Sequence, residues 1–283
     1  MRFHNQYTCI YRERLGHVRL ALVFRLFDEE IDESNYIIQQ FQKYQKELDS
    51  RHDKHERLVK LSRDITIESK RVIFFMQRSS SKNLEMLEQA LKKIQDIQQQ
   101  KFLPMAKELQ GEEPHQFLRA YTAGLQEYIE AVAFYHYLRS KTLVSLNEVQ
   151  VDLTFAVPSS DTENSQEKTI CVYVPPSEYM LGLADLTGEL MRFAINSVGS
   201  GDMDTPNEVC AYLHKMLGGF QSLGQVSREM NRKISTLRQS LQKVEAACYT
   251  LQIRGSEIPK HMLQDVFKSV QETSYLEERD LDD

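Results

Sequence analysis

From residue 17 to residue 103 the chain contains neither glycine nor proline. Gln, Glu, Lys and Leu are abundant there, and apolar residues recur at three- and four-residue intervals, a pattern that predicts long helices. Ser34 or Asn35 caps a first helix to about His52. A second spans Asp53 to Met76, with Leu58, Leu61, Ile65, Val72 and Phe75 as its apolar stripe and Lys60, Arg63, Ile67 and Lys70 on an adjoining one. Ser79 to Asn83 reads as a turn, and Asn83 caps a helix to about Gln99. Pro104 and Gly111 bracket a short piece. The next helix opens at Glu112-Glu-Pro-His, where Pro114 sits early enough that its missing N–H does no harm, and runs to about Ser140. Leu118, Tyr121, Leu125, Tyr128, Ile129, Val132, Phe134, Tyr135 and Leu138 make it apolar on more than one side, as a central helix buried on several faces would be.

Beyond it, 143–157 reads as a short helical or extended connector. Residues 158–168 are polar and aperiodic, the pattern of a flexible loop. Residues 169–174 are β-branched and read as a brief extended segment. Pro175-Pro-Ser-Glu opens a helix to about Asn196. A loop follows, with Thr205 as cap and Pro206 at the first helical position. Further helices are expected at 207–222, 227–252 and 259–268. The expected fold class is therefore all-α, a single-domain multi-helix bundle over 34–268. Residues 1–33 form an N-terminal extension and 269–283 an acidic tail. Residues 1–27 carry five Arg and one acid, Glu13. They imitate a transit peptide, but arginines interrupt the apolar run and acids follow it, so an added turn or a poorly ordered tail is the expectation.

Composition narrows the function classes. The 283 residues carry a net charge of −6, so a nucleic-acid partner needs a local basic patch. Segment 51–71 offers one, with seven Lys/Arg against four acids; such a run is either a salt-bridged solvated face or a row of phosphate contacts. Cys9, Cys171, Cys210 and Cys248 are scattered, with no CxxC and no Cys/His cluster. Neither a zinc module nor a disulfide framework is expected, and free thiols fit a reducing compartment. No apolar run is long enough to span a bilayer, so no membrane partner is expected.

Two acidic pairs stand out. Glu127 and Glu130 are three apart in Gly124-Leu-Gln-Glu-Tyr-Ile-Glu-Ala-Val132, and Asp185 and Glu189 are four apart in Ala184-Asp-Leu-Thr-Gly-Glu-Leu190. Each spacing places both acids on one helix face. Taken alone, such a pair is most often a solvated face. Here the acids lie beside apolar stripes, and the second segment carries Gly182 and Gly188. An interior glycine costs about 1 kcal/mol relative to Ala and often marks a close approach. If the two helices pack together, four carboxyl groups converge, and they need a cation, shared protons or open water to persist. Spacing alone leaves a metal site and a solvated face both open. The Tyr135-His136-Tyr137 cluster reads as core and interface.

The segments Arg51-His-Asp-Lys-His-Glu-Arg-Leu-Val-Lys-Leu-Ser-Arg-Asp-Ile-Thr66, Gly124 to Val132, Gly182-Leu-Ala-Asp-Leu-Thr-Gly-Glu-Leu-Met-Arg192 and Ile253-Arg-Gly-Ser-Glu-Ile-Pro-Lys-His-Met-Leu263 resemble the translin/TRAX family. The likeness covers about residues 40–268 and leaves 1–33 and the 158–168 loop unmatched. It implies an all-helical chain that co-assembles with translin into a hollow hetero-octamer. That assembly is a Mg²⁺-dependent endoribonuclease for single-stranded RNA, with Mn²⁺ able to substitute and single-stranded DNA as a further ligand. It promotes RNA interference by removing passenger-strand fragments from the silencing complex, and it processes some tRNA fragments. The expected location is cytoplasmic, also nuclear. By motif, the catalytic acids fall on Glu127, Glu130, Asp185 and Glu189, with Glu130 and Glu189 as direct metal ligands.

An all-oxygen donor set suits hard cations such as Mg²⁺ or Mn²⁺. A di-iron bundle would need Glu-x-x-His on each of two helices. Here Glu130 is followed at i+3 by Ala133 and Glu189 by Arg192, and the lone Glu112-x-x-His115 reads as a cap. Lys60, Arg63, Lys70 and Arg192 are the expected nucleic-acid contacts. The alternative is a scaffold that stabilises translin and nucleic acid without cutting, through C-terminal apolar stripes that include Leu213, Leu217, Phe220, Leu237 and Leu241.

Overall fold

With nothing between residues 17 and 103 to stop a helix, α1 runs unbroken over Tyr36–Gln77. The two helices expected on either side of residue 52 are one. Asp53 is a competent cap, but no residue there forces the ladder to end, and Arg51 pairs back onto Glu47 at 2.8 Å. The computed structural model describes residues 36–78, 84–158, 168–199, 202, 204–224 and 226–254. The 1–33 extension, the Ser34 and Asn35 caps, the Ser79 to Asn83 turn, the interior of the 158–168 loop, the helix expected at 259–268 and the 269–283 tail lie outside the described residues.

Two units are distinguished, one ending at His52 and one beginning at Asp53. In the first, Ile37, Phe41, Tyr44 and Leu48 of α1 are exposed. In the second, the buried seam of α1 is Leu58, Ser62, Ile65, Ser69, Val72 and Met76. Leu61 and Phe75, expected on that stripe, flank it half-buried.

α2 (Leu84–Ile97) continues through a π-turn, Gln98–Phe102, into α3 (Leu103–Glu108). Pro104 explains the wide turn. It has no N–H for the carbonyl four residues back and its ring crowds that carbonyl, and the π-turn opens the ladder at that point. α4 (Leu118–Ser140) starts four residues later than Pro114 suggests. Residues 112–117 form turns instead, with Gln116 N–H donating to Glu113 O at 3.0 Å. The Glu112 carboxylate, read as a helix cap, is ion-paired with Lys54. α4 ends at Lys141, whose left-handed φ of 57° lets its N–H reach Tyr137 O.

Ser145 and Glu148 form a reciprocal capping box at the start of α5 (Leu146–Asp152). Among the described residues, the otherwise all-α fold then carries one small hairpin. β1 (Thr154–Val157) pairs antiparallel with β2 (Lys168–Cys171), Phe155 opposite Ile170. Gln150 ties the exit of β2 to α5, donating to Val172 O at 3.2 Å and accepting from Val174 N–H at 3.0 Å. α6 (Pro176–Gly199), α7 (Asp204–Gln221) and α8 (Arg228–Arg254) complete the described chain. The core is centred on α4, buried on several faces as its sequence predicts, and packed against α6, which in turn packs on α7 and α8. No described helix is long and apolar enough to cross a membrane.

Candidate active site

Two glycines set the helix spacing from which the site is built. A Cβ on Gly124 would stand 2.6 Å from Ser62 O and 2.9 Å from Ser62 Oγ, so α1 and α4 touch backbone to backbone there. Gly124 N–H donates to that hydroxyl at 3.0 Å. A Cβ on Gly182 would stand 2.9 Å from Gln126 O and from Ile129 Cβ, so α6 lies as close to α4 on another side. Gly182 thus marks the close approach its sequence position suggests. Gly188 does not: nothing lies within 4 Å of its Cβ position, and it lines an open cleft.

That cleft, of about 650 Å³, contains all four acids of the two pairs. α4 supplies Glu127 and Glu130, and α6 supplies Asp185 and Glu189. Glu130 is the deepest, 8% exposed. Burial, and next the charges of Glu127, Asp185 and Glu189, push its carboxyl up to about 9, with Lys70 acting in the opposite sense. The other three acids have local partners. Lys70 reaches Glu127 at 2.9 Å, a contact that also raises the lysine's own pKa. Lys233 Nζ donates to Asp185 Oδ2 at 2.6 Å and to Gln126 Oε1 at 3.2 Å. Glu189 takes Arg192 at 3.3 Å and accepts from Gln77 Nε2 at 2.9 Å, which also donates to the Glu189 carbonyl.

The structure therefore brings Glu127, Glu130, Asp185, Glu189, Lys70 and Arg192 together. It does not bring Lys60 and Arg63 with them. Both are exposed on α1, about 15 and 10 Å of helix rise from Lys70, and neither lines the cleft. Lys233 was not anticipated. Its signal is faint but present: it lies beside Met230, Ile234 and Leu237, which are buried, so a lysine stands at the edge of an apolar stripe.

The donor set fits a hard divalent cation. Four carboxylates face Lys70, Arg192 and Lys233; burial first, and then this excess of negative charge, favour the protonated form of Glu130. A divalent charge here would let Glu130 ionise. Glu127, Asp185 and Glu189 each contact a basic side chain, and no three of the four carboxylates are grouped within 4.8 Å of one another. Among the described residues, the trio of potential ligands with atoms within 4.8 Å of one another is elsewhere: Cys210 and His214 on α7 with Glu245 on α8. The expectation of scattered cysteines without a Cys/His cluster is corrected there. The grouping joins two helices, which chain spacing does not reveal.

The Translin family model matches residues 53–255, beginning where the second unit begins. Over 251 residues the chain is 49% identical to Translin-associated protein X of Pongo abelii, covering 84% of this chain and 86% of that one. It is 28% identical over 145 residues to Translin of Homo sapiens, covering 51% of this chain and 60% of that one. Against a chain of an AfC3PO–duplex RNA complex the TM-score is 0.59 at 16% identity, over 77% of this chain and 100% of that one, a likeness of fold. On the matched helices and the extended identity, the chain belongs to the translin family.

Proposed function

We propose that this chain is the catalytic subunit of a hetero-oligomer with translin, a hollow octamer that cuts single-stranded RNA with the help of Mg²⁺. Its role would be to promote RNA interference by clearing passenger-strand fragments from the silencing complex. One observation carries the reading: four carboxylates from α4 and α6 share one cleft with Lys70, Arg192 and Lys233. An acidic floor with a basic rim suits a phosphodiester held against a hard cation. Two likenesses support the partner and ligand classes. Translin-associated protein X is by its name associated with translin. The AfC3PO chain was solved with duplex RNA.

Glu130 and Glu189 would hold the ion, and Mg²⁺, when bound, supplies a lowered pKa to a bound water and countercharge to the phosphate. The remaining steps belong to the side chains. Glu127 or Asp185 orients the attacking water or takes its proton, once released from Lys70 or Lys233. Lys70, Lys233 and Arg192 meet the charge that builds on the phosphoryl oxygens during in-line attack. Lys60 and Arg63 extend a basic stripe along α1 toward Lys70. They neutralise backbone phosphates without reading bases, so cleavage is largely sequence-independent and salt-sensitive.

A second reading, a nucleic-acid scaffold that stabilises translin, is favoured by one feature. Lys70 and Lys233 already balance two of the four acids. The test is the complex co-expressed with translin, incubated with labelled single-stranded RNA in Mg²⁺ or in EDTA, beside a Glu130→Ala complex. Cutting that requires both the metal and Glu130 supports the nuclease. Binding without cutting, or cutting that survives Glu130→Ala, rejects this centre.

A further inference from the structure

α7 and α8 are consecutive helices packed side by side. On their shared surface, away from the acidic cleft, Cys210 and His214 stand one turn apart on α7, and Glu245 and Cys248 stand one turn apart on α8. The pairs meet across the helices. His214 Nε2 lies 2.9 Å from Glu245 Oε1, and Cys210 and Cys248 are neighbours across the two helices. Going back one turn on α7 corresponds to going forward one turn on α8, as antiparallel neighbours require. The ligand atoms of Cys210, His214 and Glu245 all lie within 4.8 Å of one another.

We propose that Cys210, His214, Glu245 and Cys248 form a binding site for a borderline-soft divalent cation of the Zn²⁺ class. Two sulfurs, one imidazole nitrogen and one carboxylate oxygen are a tetrahedral zinc donor set. With bonds of about 2.0–2.3 Å, ligand atoms around such an ion stand roughly 3.3–3.8 Å apart. The His214–Glu245 pair, at 2.9 Å, has to open by about 0.4 Å to admit the ion between its two donor atoms. His214 and Glu245 are more than two-fifths exposed, which leaves their side chains free to turn inward. Cys248, one turn from Glu245 on α8 and beside Cys210, is outside the trio of Cys210, His214 and Glu245 and would supply the fourth ligand by turning its thiol toward it. Binding forms two metal–thiolate bonds and releases the two thiol protons to solvent, with His214 neutral and Glu245 ionised. The ion would clamp α7 to α8. It differs from the cation of the acidic cleft in donor chemistry: sulfur and nitrogen here, oxygen alone there.

The test uses the full-length protein, reduced, stripped with a chelator and titrated with Co²⁺ and then Zn²⁺. The wild type should develop a thiolate-to-cobalt charge-transfer band and the visible bands of a tetrahedral site, both saturating at one Co²⁺ per chain whatever further Co²⁺ the acidic cleft takes, and both lost as Zn²⁺ displaces it. Cys210→Ser should weaken the charge-transfer band, and Cys210→Ser with Cys248→Ser should abolish it. His214→Gln, a change at an exposed position that leaves the fold intact, should weaken binding at least tenfold. Glu130→Gln should leave the thiolate charge-transfer band and its Co²⁺ affinity unchanged, which separates this site from the all-oxygen cleft. The proposal is overturned by a wild type without the thiolate band, or by a band that keeps its full intensity and Co²⁺ affinity in both Cys210→Ser and His214→Gln. A Cys210–Cys248 disulfide found by mass spectrometry in the native protein would also overturn it.

Discussion

Replacing Glu130 by Gln keeps the size of the side chain and removes its ionisation. In the folded chain, burial, then Glu127, Asp185 and Glu189, raise this carboxyl from 4.5 to about 9. Unfolding returns it to its ordinary value. Between the two values the folded state holds a proton that the unfolded state has released, so stability falls as pH rises. This contribution is complete below pH 4.5 and is lost as the pH passes up through about 9. Each pH unit inside the window is worth about 1.4 kcal/mol. The chain kept free of divalent cations should therefore give up about 3 kcal/mol between the ordinary carboxyl value and neutrality. Glu130→Gln removes that slope. The variant should match the wild type at the acid end and exceed it by about 3 kcal/mol at neutral pH. Urea unfolding in EDTA, followed by circular dichroism from about pH 5 to about pH 8, reads the difference through the midpoints. Adding Mg²⁺ should flatten the slope of the wild type, because a cation favours the ionised carboxylate, and leave the variant unchanged. Parallel pH slopes for the two proteins, or a variant less stable at neutral pH, would refute the reasoning that Glu130 is a buried carboxyl kept protonated by its acidic neighbours.

Three more predictions follow from the geometry. Lys233→Met removes the cation 2.6 Å from Asp185; single-turnover cleavage should fall about a hundredfold, the effect of losing one charge-stabilising donor, while assembly with translin persists. Unchanged cleavage would leave Lys233 as a structural partner only. Gly124→Ala forces a methyl to within 2.6 Å of the Ser62 carbonyl. It should cost about 1–3 kcal/mol in urea unfolding, and Ser62→Ala should not rescue it, because the obstacle nearest to the methyl is backbone. Alanine at Lys60 or Arg63 should weaken RNA binding about equally across sequences and lower the salt slope of log K by about one per residue, read by filter binding at several salt concentrations; a sequence-dependent loss would contradict a backbone role.

The acidic pairs were legible because each needs only local information. Three- and four-residue spacing fixes a shared face, and the apolar density around Glu130 says that this face is turned inward. The same density along α4 identifies it as the central helix. What failed was also local, where one residue type serves several ends. Asp53 can cap a helix, yet without a breaker α1 continues through it. Glu112-Glu-Pro looks like a helix start, but Lys54 engages Glu112 and Phe117 is buried, so regular helix waits for Leu118. Pro104 was read as a bracket and is accommodated by a π-turn.

Contacts between distant helices leave a different kind of trace. Nothing in the spacing of the chain links Lys233 to Asp185, or Cys210 to Cys248. Yet each partner is a misfit in its own helix: a lysine beside Met230, Ile234 and Leu237, and thiols beside Val209, Val244 and Ala247 that are themselves only half-buried. Gly124 and Gly182 are misfits of the same sort, costing helix propensity where no turn needs them. At both, the structure supplies a backbone carbonyl within 2.9 Å of where a Cβ would be. A residue that its own helix would not choose is the sign of a neighbour the sequence does not name, and in this chain two of the glycines and one lysine that break local rules border the acidic cleft or set the helices that form it.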